Sequence, residues 1–143
     1  MDASNVATRL WVGAAPPFDR DLPTFDTMVL CAAELQPERV AFHGLLIRCP
    51  IPDDALNQVE LTRVLLASMA VANSIARGDR VLVTCAQGLN RSALVAALAL
   101  HRLTRMSSRE LIVHMRLRRH PNALFNPHCQ EILHRLVGNG RRQ

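Results

Sequence analysis

The chain has 143 residues, 17 basic and 12 acidic side chains and a formal charge of +5, and every basic residue is arginine. That length suits one domain over residues 1–143, long enough to bury a core without disulfide or metal staples. A content of 49% hydrophobic and 20% charged residues excludes a disordered chain. The longest apolar run, Ala93–Leu100, is eight residues, short of the roughly 20 of a membrane-spanning helix.

Arg9–Gly13 reads as a first strand, followed by a loop over 15–24 rich in Pro and Asp. Thr27–Ala33 is a continuous apolar run suited to a buried strand. Gly44–Cys49 is a third strand, expected to stop at Pro50 and Pro52, because proline cannot serve a central ladder. The pattern then lengthens. Residues 55–77 form a helix with Asp54 as N-cap and Gly78 just past its end. From Val64 to Ala72 this helix is apolar nearly all round, which predicts burial. Arg80–Thr84 is a short strand, and a helix runs from Arg91 to about Arg105. Ser107 and Glu110 have capping-box spacing and open a helix to about Arg118, before Pro121. Asn126-Pro127 is a cap followed by a first-turn proline, and Gly138 closes that last helix. Strands alternating with helices predict an α/β fold, with a mainly parallel central sheet flanked by helices on both faces.

Charge is uneven along the chain. Residues 1–100 carry 8 Arg and 10 acids, whereas residues 101–143 carry 9 Arg and 2 acids. The basic third, with Arg102, Arg105, Arg109, Arg116, Arg118 and Arg119, points either to an anionic partner or to a plain solvated face. Four Phe, one Trp and no Tyr argue against a single-stranded nucleic-acid partner, which needs rings for stacking. Cys31, Cys49, Cys85 and Cys129 form no metal spacing, and neither do the six histidines, so no metal or cofactor is expected. His120 and His128 are placed at the rim of the site described next. The first residues have no basic or apolar leader character, so a cytoplasmic location with free thiols is expected. No oligomeric state is specified.

The informative segment is Val83-Thr84-Cys85-Ala86-Gln87-Gly88-Leu89-Asn90-Arg91-Ser92. Composition alone makes a Cys-x5-Arg commonplace (~0.5 expected), but with Gly at +3 and Ser or Thr at +7 the expectation falls to ~0.002. A thiol at the end of a strand faces the crevice where α/β sheets bind ligands. Backbone N–H groups of Ala86, Gln87, Gly88, Leu89 and Asn90 can curl into an anion nest, with the helix dipole behind them. Arg91 adds a planar fork for two phosphate oxygens. The same features favour a nucleophilic thiolate at Cys85, to which Ser92 can donate a hydrogen bond.

This loop resembles the phosphate-binding signature of the cysteine-dependent protein tyrosine phosphatase superfamily. It is most similar to the dual-specificity branch, whose signature is His-Cys-x5-Arg-Ser/Thr. Leu10-Trp11-Val12-Gly13 resembles the family's opening L-x-x-G strand. Cys49-Pro50-Ile51-Pro52-Asp53 resembles its P-x-x-D loop. Arg119-His120-Pro121-Asn122-Ala123-Leu124-Phe125-Asn126-Pro127 resembles its closing R-P-x-x-x-x-N stretch. The resemblance covers about residues 8–137, the core of the domain, and implies a dual-specificity phosphatase-like fold and hydrolysis of phosphorylated protein substrates through a cysteinyl-phosphate. It implies Cys85 as nucleophile, Arg91 as phosphate ligand and Asp53 as general acid. Asp54 competes for that last role and also suits the helix cap. Asn126 is the family's loop-bracing Asn, the last helix cap, or both. Thr84 departs from the family's His, which implies a less preorganised loop. A weak phosphate-binding module, the same chemistry on a lipid or RNA 5′-phosphate, and a rhodanese-like or arsenate-reducing enzyme are the rival readings. A disulfide protecting Cys85 has Cys31, Cys49 or Cys129 as candidate partners.

Overall fold

The structure is a computed structural model and describes residues 1–138. In chain order the elements are β1 (Ala3–Ala7), β2 (Leu10–Gly13), β3 (Thr27–Ala32), β4 (Leu45–Ile51), α1 (Gln58–Ala76), β5 (Val81–Thr84), α2 (Arg91–Thr104), α3 (Ser108–Arg118) and α4 (Pro127–Leu136). The strands form one sheet in the order β1-β2-β5-β3-β4. Only the β1–β2 pair is antiparallel; β2–β5, β5–β3 and β3–β4 are parallel. The α/β class with a mainly parallel sheet therefore holds.

Four expectations need correction. First, β1 was not foreseen. Val6 is its one fully buried residue, so its sequence lacks apolar alternation. Its turn into β2 is closed by Asn5 Nδ2, which donates to Ala7 O and Leu10 O, with Arg9 at φ 59°. Second, β4 does not stop before Pro50. It runs on to Ile51 because it is an edge strand whose register shifts between Leu30 and Ala32 of β3, and an edge or bulge tolerates a residue without an N–H.

Third, α1 is capped by Asn57, not Asp54. Asn57 Oδ1 accepts the Glu60 N–H at 2.8 Å, and Glu60 Oε1 accepts the Asn57 N–H at 2.9 Å, which is a reciprocal capping box. Asp54 instead accepts the Ala55 N–H and faces His128. Nor is α1 buried all round: Val64, Ala67, Val71 and Ile75 pack inward while Val59, Leu66 and Met69 stay exposed. With 19 residues and a mean hydropathy of 1.3, α1 has the length and composition of a spanning segment. It packs against β3, β4, β5 and α2 as a core helix.

Fourth, the helices lie on one face of the sheet. Val12, Val29, Cys31, Val81 and Val83 point into a large core shared with all four helices. Their neighbours Met28, Leu30 and Leu82 point the other way, into a second cluster. Loop residues Phe18, Leu22, Phe25, Val40 and Phe42 cover that cluster, and no helix residue joins it among the described residues.

The parallel register sets up the site. Gly13 of β2 and Leu30 of β3 both lie level with Thr84, the last residue of β5. The chain leaves β5 there, beside the sheet's carboxyl edge, and enters α2. Residues Arg91–Leu100 of α2 are all buried, so this helix is the central one and its N-terminus is fixed.

Candidate active site

Residues 85–90 join β5 to α2 as a tight loop. Four successive carbonyls in it are held from outside. Ala86 O accepts the Ala15 N–H, Gln87 O accepts Arg119 Nη2, Gly88 O accepts Arg119 Nε, and Leu89 O accepts the Leu124 N–H at 2.7 Å. In a trans peptide the carbonyl of one residue and the N–H of the next point in opposite directions. The N–H groups of Gln87, Gly88, Leu89 and Asn90 are therefore turned to the inside of the loop, as an anion nest requires. Gly88 has φ 73°, and a Cβ there would lie 2.5 Å from Gly13 C and 2.6 Å from Gly13 O. Only glycine fits both constraints.

Thr84 takes no part in this bracing. Its hydroxyl donates to Val29 O at 3.0 Å and so belongs to the β5–β3 pair. Arg119, whose side chain is 4% exposed, is the clamp behind the loop. Its Nη1 is in turn anchored on Asp2 Oδ1 at 2.7 Å and Ser4 Oγ at 3.2 Å.

Cys85 is buried at the base of the loop, with its Sγ 3.1 Å from Ser92 Oγ in the first turn of α2. Arg91 is also buried and is held in place by three hydrogen bonds. Its Nη1 and Nη2 donate to Glu34 Oε1 and Oε2 at 2.6 and 2.7 Å, and Nη1 also donates to Ile51 O at 3.1 Å. A guanidinium has five N–H bonds. Three are used here, and the two that remain, on Nε and Nη2, share one edge. That edge is the bidentate surface an oxyanion needs. The pair holds Glu34 at about 2, chiefly through the Arg91 hydrogen bonds, and raises Arg91. Both groups therefore stay charged across the neutral range.

Cys85, Arg91, Gln87, Glu34, Asp53 and Phe125 all line one cavity of about 240 Å³, together with Ala86, Leu89 and Asn90. Asp53 is aimed by Asn126, whose Nδ2 donates to Asp53 Oδ1 at 2.9 Å. Asn126 Oδ1 accepts the His128 N–H and so caps α4 at the same time. Asp54 does not line the cavity, and neither do His120 and His128. Of the six arginines named from the basic third, Arg119 alone reaches the loop, and it does so from behind. Cys31 is raised by the Cys49 thiol against it and by complete burial. Cys129 is pushed up to about 12 by burial, with Asp53 and Cys85 close by. No group of three or more His, Cys, Asp or Glu is placed to hold a metal among the described residues.

The fold matches known structures. Human DUSP28 superposes with a TM-score of 0.82 at 22% identity, covering 96% of this chain and 93% of that one. Tk-PTP in its active form gives 0.76 at 23% identity, covering 95% and 96%. A mouse putative dual specificity phosphatase, solved with zinc tungstate, gives 0.73 at 22% identity, covering 99% and 94%. The chain has the dual-specificity phosphatase fold. No family model and no curated protein sequence matches it.

Within this phosphatase fold, sequence reading placed Cys85, Arg91, Ser92, Asp53 and the five loop residues, and the structure brings all of them together. It missed Glu34, Arg119 and Phe125. Glu34 gave no local signal, since it lies 57 positions before its partner. Arg119 shows in sequence as one charge of a basic run and as the first residue of the closing stretch, neither of which marks it as a clamp. Phe125 was quoted within a motif but given no role.

Proposed function

We propose that this chain is a phosphomonoester hydrolase of phosphoproteins, acting on phosphotyrosine and phosphoserine or phosphothreonine through a cysteinyl-phosphate. The observation that carries the reading is the single cavity lined by Cys85, Arg91 and the carboxyl group of Asp53, with Ser92 Oγ 3.1 Å from Cys85 Sγ behind its wall. In the first step Cys85 Sγ attacks phosphorus, the ester P–O bond breaks, and Asp53 protonates the leaving oxygen. Arg91 and the loop N–H groups hold the three equatorial oxygens in the transition state. In the second step Asp53 takes a proton from water, whose oxygen attacks phosphorus. The P–S bond then breaks and inorganic phosphate leaves. Ser92 stabilises the departing thiolate.

The placement of Asp53 in the cavity and of Asp54 outside it favours Asp53 as the acid. Arg91 is the one cation among the lining residues, and three of its five N–H donors are engaged. A polyphosphorylated lipid headgroup or an RNA 5′-triphosphate finds no second charge there, which supports a protein substrate. A reducing, cytoplasmic setting, in which all four cysteines stay free, is part of this proposal. The wild-type protein should hydrolyse p-nitrophenyl phosphate in EDTA and label with phosphate on sulfur, whereas Cys85→Ser should be inert. Full activity in that variant would sink the mechanism. Thr84 favours a second reading, a weak phosphate-binding module, because its hydroxyl serves β3 and not the loop. Phosphate binding without a burst of product would select it.

A further inference from the structure

Phe125 stands apart from the other rings of this aromatic-poor chain. Trp11, Phe18, Phe25 and Phe42 all pack into the loop-covered cluster behind the sheet. Phe125 is 54% exposed and lines the cavity that holds Cys85. A single exposed apolar residue is ordinary on a protein surface. Here, however, the backbone on both sides of the ring is pinned. Leu124 is completely buried, adopts φ 58°, donates its N–H to Leu89 O and accepts Gln130 Nε2 at 2.7 Å. Asn126 donates its N–H to Asn90 Oδ1 at 3.0 Å and its side chain to Asp53. A non-glycine residue with positive φ costs about 1 kcal/mol or more. The fold bears that strain in the one residue that buries its own side chain and turns the next one outward.

We infer that Phe125 is a specificity-determining wall that makes the site prefer aryl phosphates, phosphotyrosine among phosphoproteins, over alkyl phosphates. The inference rests on the phosphatase reading above and narrows it. With phosphate seated in the loop, an aryl ester places a flat ring immediately outside the phosphate, at the level of the cavity mouth. Stacked or edge-on contact with Phe125 then removes apolar surface of both rings from water. A seryl or threonyl ester places two or three carbons there and then a polar peptide backbone, which gains nothing from a ring. Glu34, Asp53 and Gln87 are the other exposed residues of the lining, and all three are polar, with the Glu34 carboxylate committed to Arg91, so Phe125 is the one exposed apolar side chain among the lining residues.

The test uses two peptides of identical flanking sequence, one with phosphotyrosine and one with phosphothreonine. In the wild type the tyrosyl peptide should have the higher kcat/KM. In Phe125→Leu the tyrosyl-to-threonyl ratio should fall about fivefold, through KM and not kcat, the size of an aromatic pair beyond its area. Phe125→Trp should restore the ratio. An unchanged ratio in Phe125→Leu, or an equal loss on both peptides, overturns the inference. Calorimetry of phenyl phosphate and ethyl phosphate on Cys85→Ser separates the two proposals. If the wild type turns over neither peptide, the hydrolase reading fails. The aryl site then stands if phenyl phosphate binds more tightly and Phe125→Leu abolishes the difference. It falls if the two esters bind alike.

Discussion

The carboxylate of Glu34 lines the cavity proposed to take a phosphate, and Arg91 neutralises it there. What Glu34 contributes is aim: it fixes the plane of the guanidinium and leaves free the Nε–Nη2 edge, to which the proposed mechanism assigns the phosphate. Glu34→Gln keeps the shape but can accept with one oxygen only. Its kcat/KM on an aryl phosphate should fall between about 10- and 100-fold, the scale of a misplaced binding group, with Glu34→Asp recovering part of the loss. The pair also has a stability signature. The carboxyl is held at about 2 against an ordinary 4.5, so its folded-state value is depressed. Its stabilisation is complete above pH 4.5 and is lost as pH falls toward 2. Urea unfolding of the wild type and Glu34→Gln should therefore show a constant gap at neutral pH that closes below about pH 4. The gap should be small, because the Glu34 side chain is 55% exposed and solvent screens the pair.

At the scale of elements, the start of α1 and the clamp behind the loop carry separate predictions. Asn57 is the cap and Asp54 is not, so Asn57→Ala should cost about 1 kcal/mol in urea unfolding, while Asp54→Ala should cost a few tenths at most. Equal losses would return the cap to Asp54. Arg119 ties β1 to the loop: one guanidinium holds Asp2, Ser4, Gln87 O and Gly88 O. Arg119→Lys keeps the charge but cannot reach both carbonyls. It should destabilise the fold by about 1 kcal/mol, the net worth of a hydrogen bond lost from a part-buried or exposed carbonyl. It should also weaken the binding of inorganic phosphate to Cys85→Ser, because carbonyls free to rotate release the N–H groups that share their peptide planes. Unaltered phosphate affinity would show that the nest does not depend on the clamp.

At the scale of the whole molecule, what was legible in sequence was what is local. Cys85, Gly88, Arg91 and Ser92 lie within eight residues, between the short strand Arg80–Thr84 and the apolar run Ala93–Leu100. Asp53 was legible only through a resemblance to its loop. Contacts set by packing were not legible. The Glu34–Arg91 pair joins the loop after β3 to α2, and Arg119 joins α3 to a strand whose composition hardly marks it as one. Pro50 misled because the rule that excludes proline from a ladder presumes a central strand, and β4 lies at the edge. The two-faced helix layer was inferred from α/β alternation alone. In this chain the back of the sheet is closed by the loops around Phe18, Phe25 and Phe42.

That one-sided layering makes the chain's spectroscopy asymmetric. Trp11 is the sole tryptophan in a chain without tyrosine, and it sits edge-on to Phe25, 5.4 Å between ring centroids and 75° between planes. Its emission thus reports on the loop-covered back of the sheet. Far-ultraviolet circular dichroism is dominated by the four helices on the front. If the back loops open before the front layer melts, the fluorescence midpoint in urea will precede the dichroism midpoint. Coincident midpoints will show that the two layers unfold as one cooperative unit.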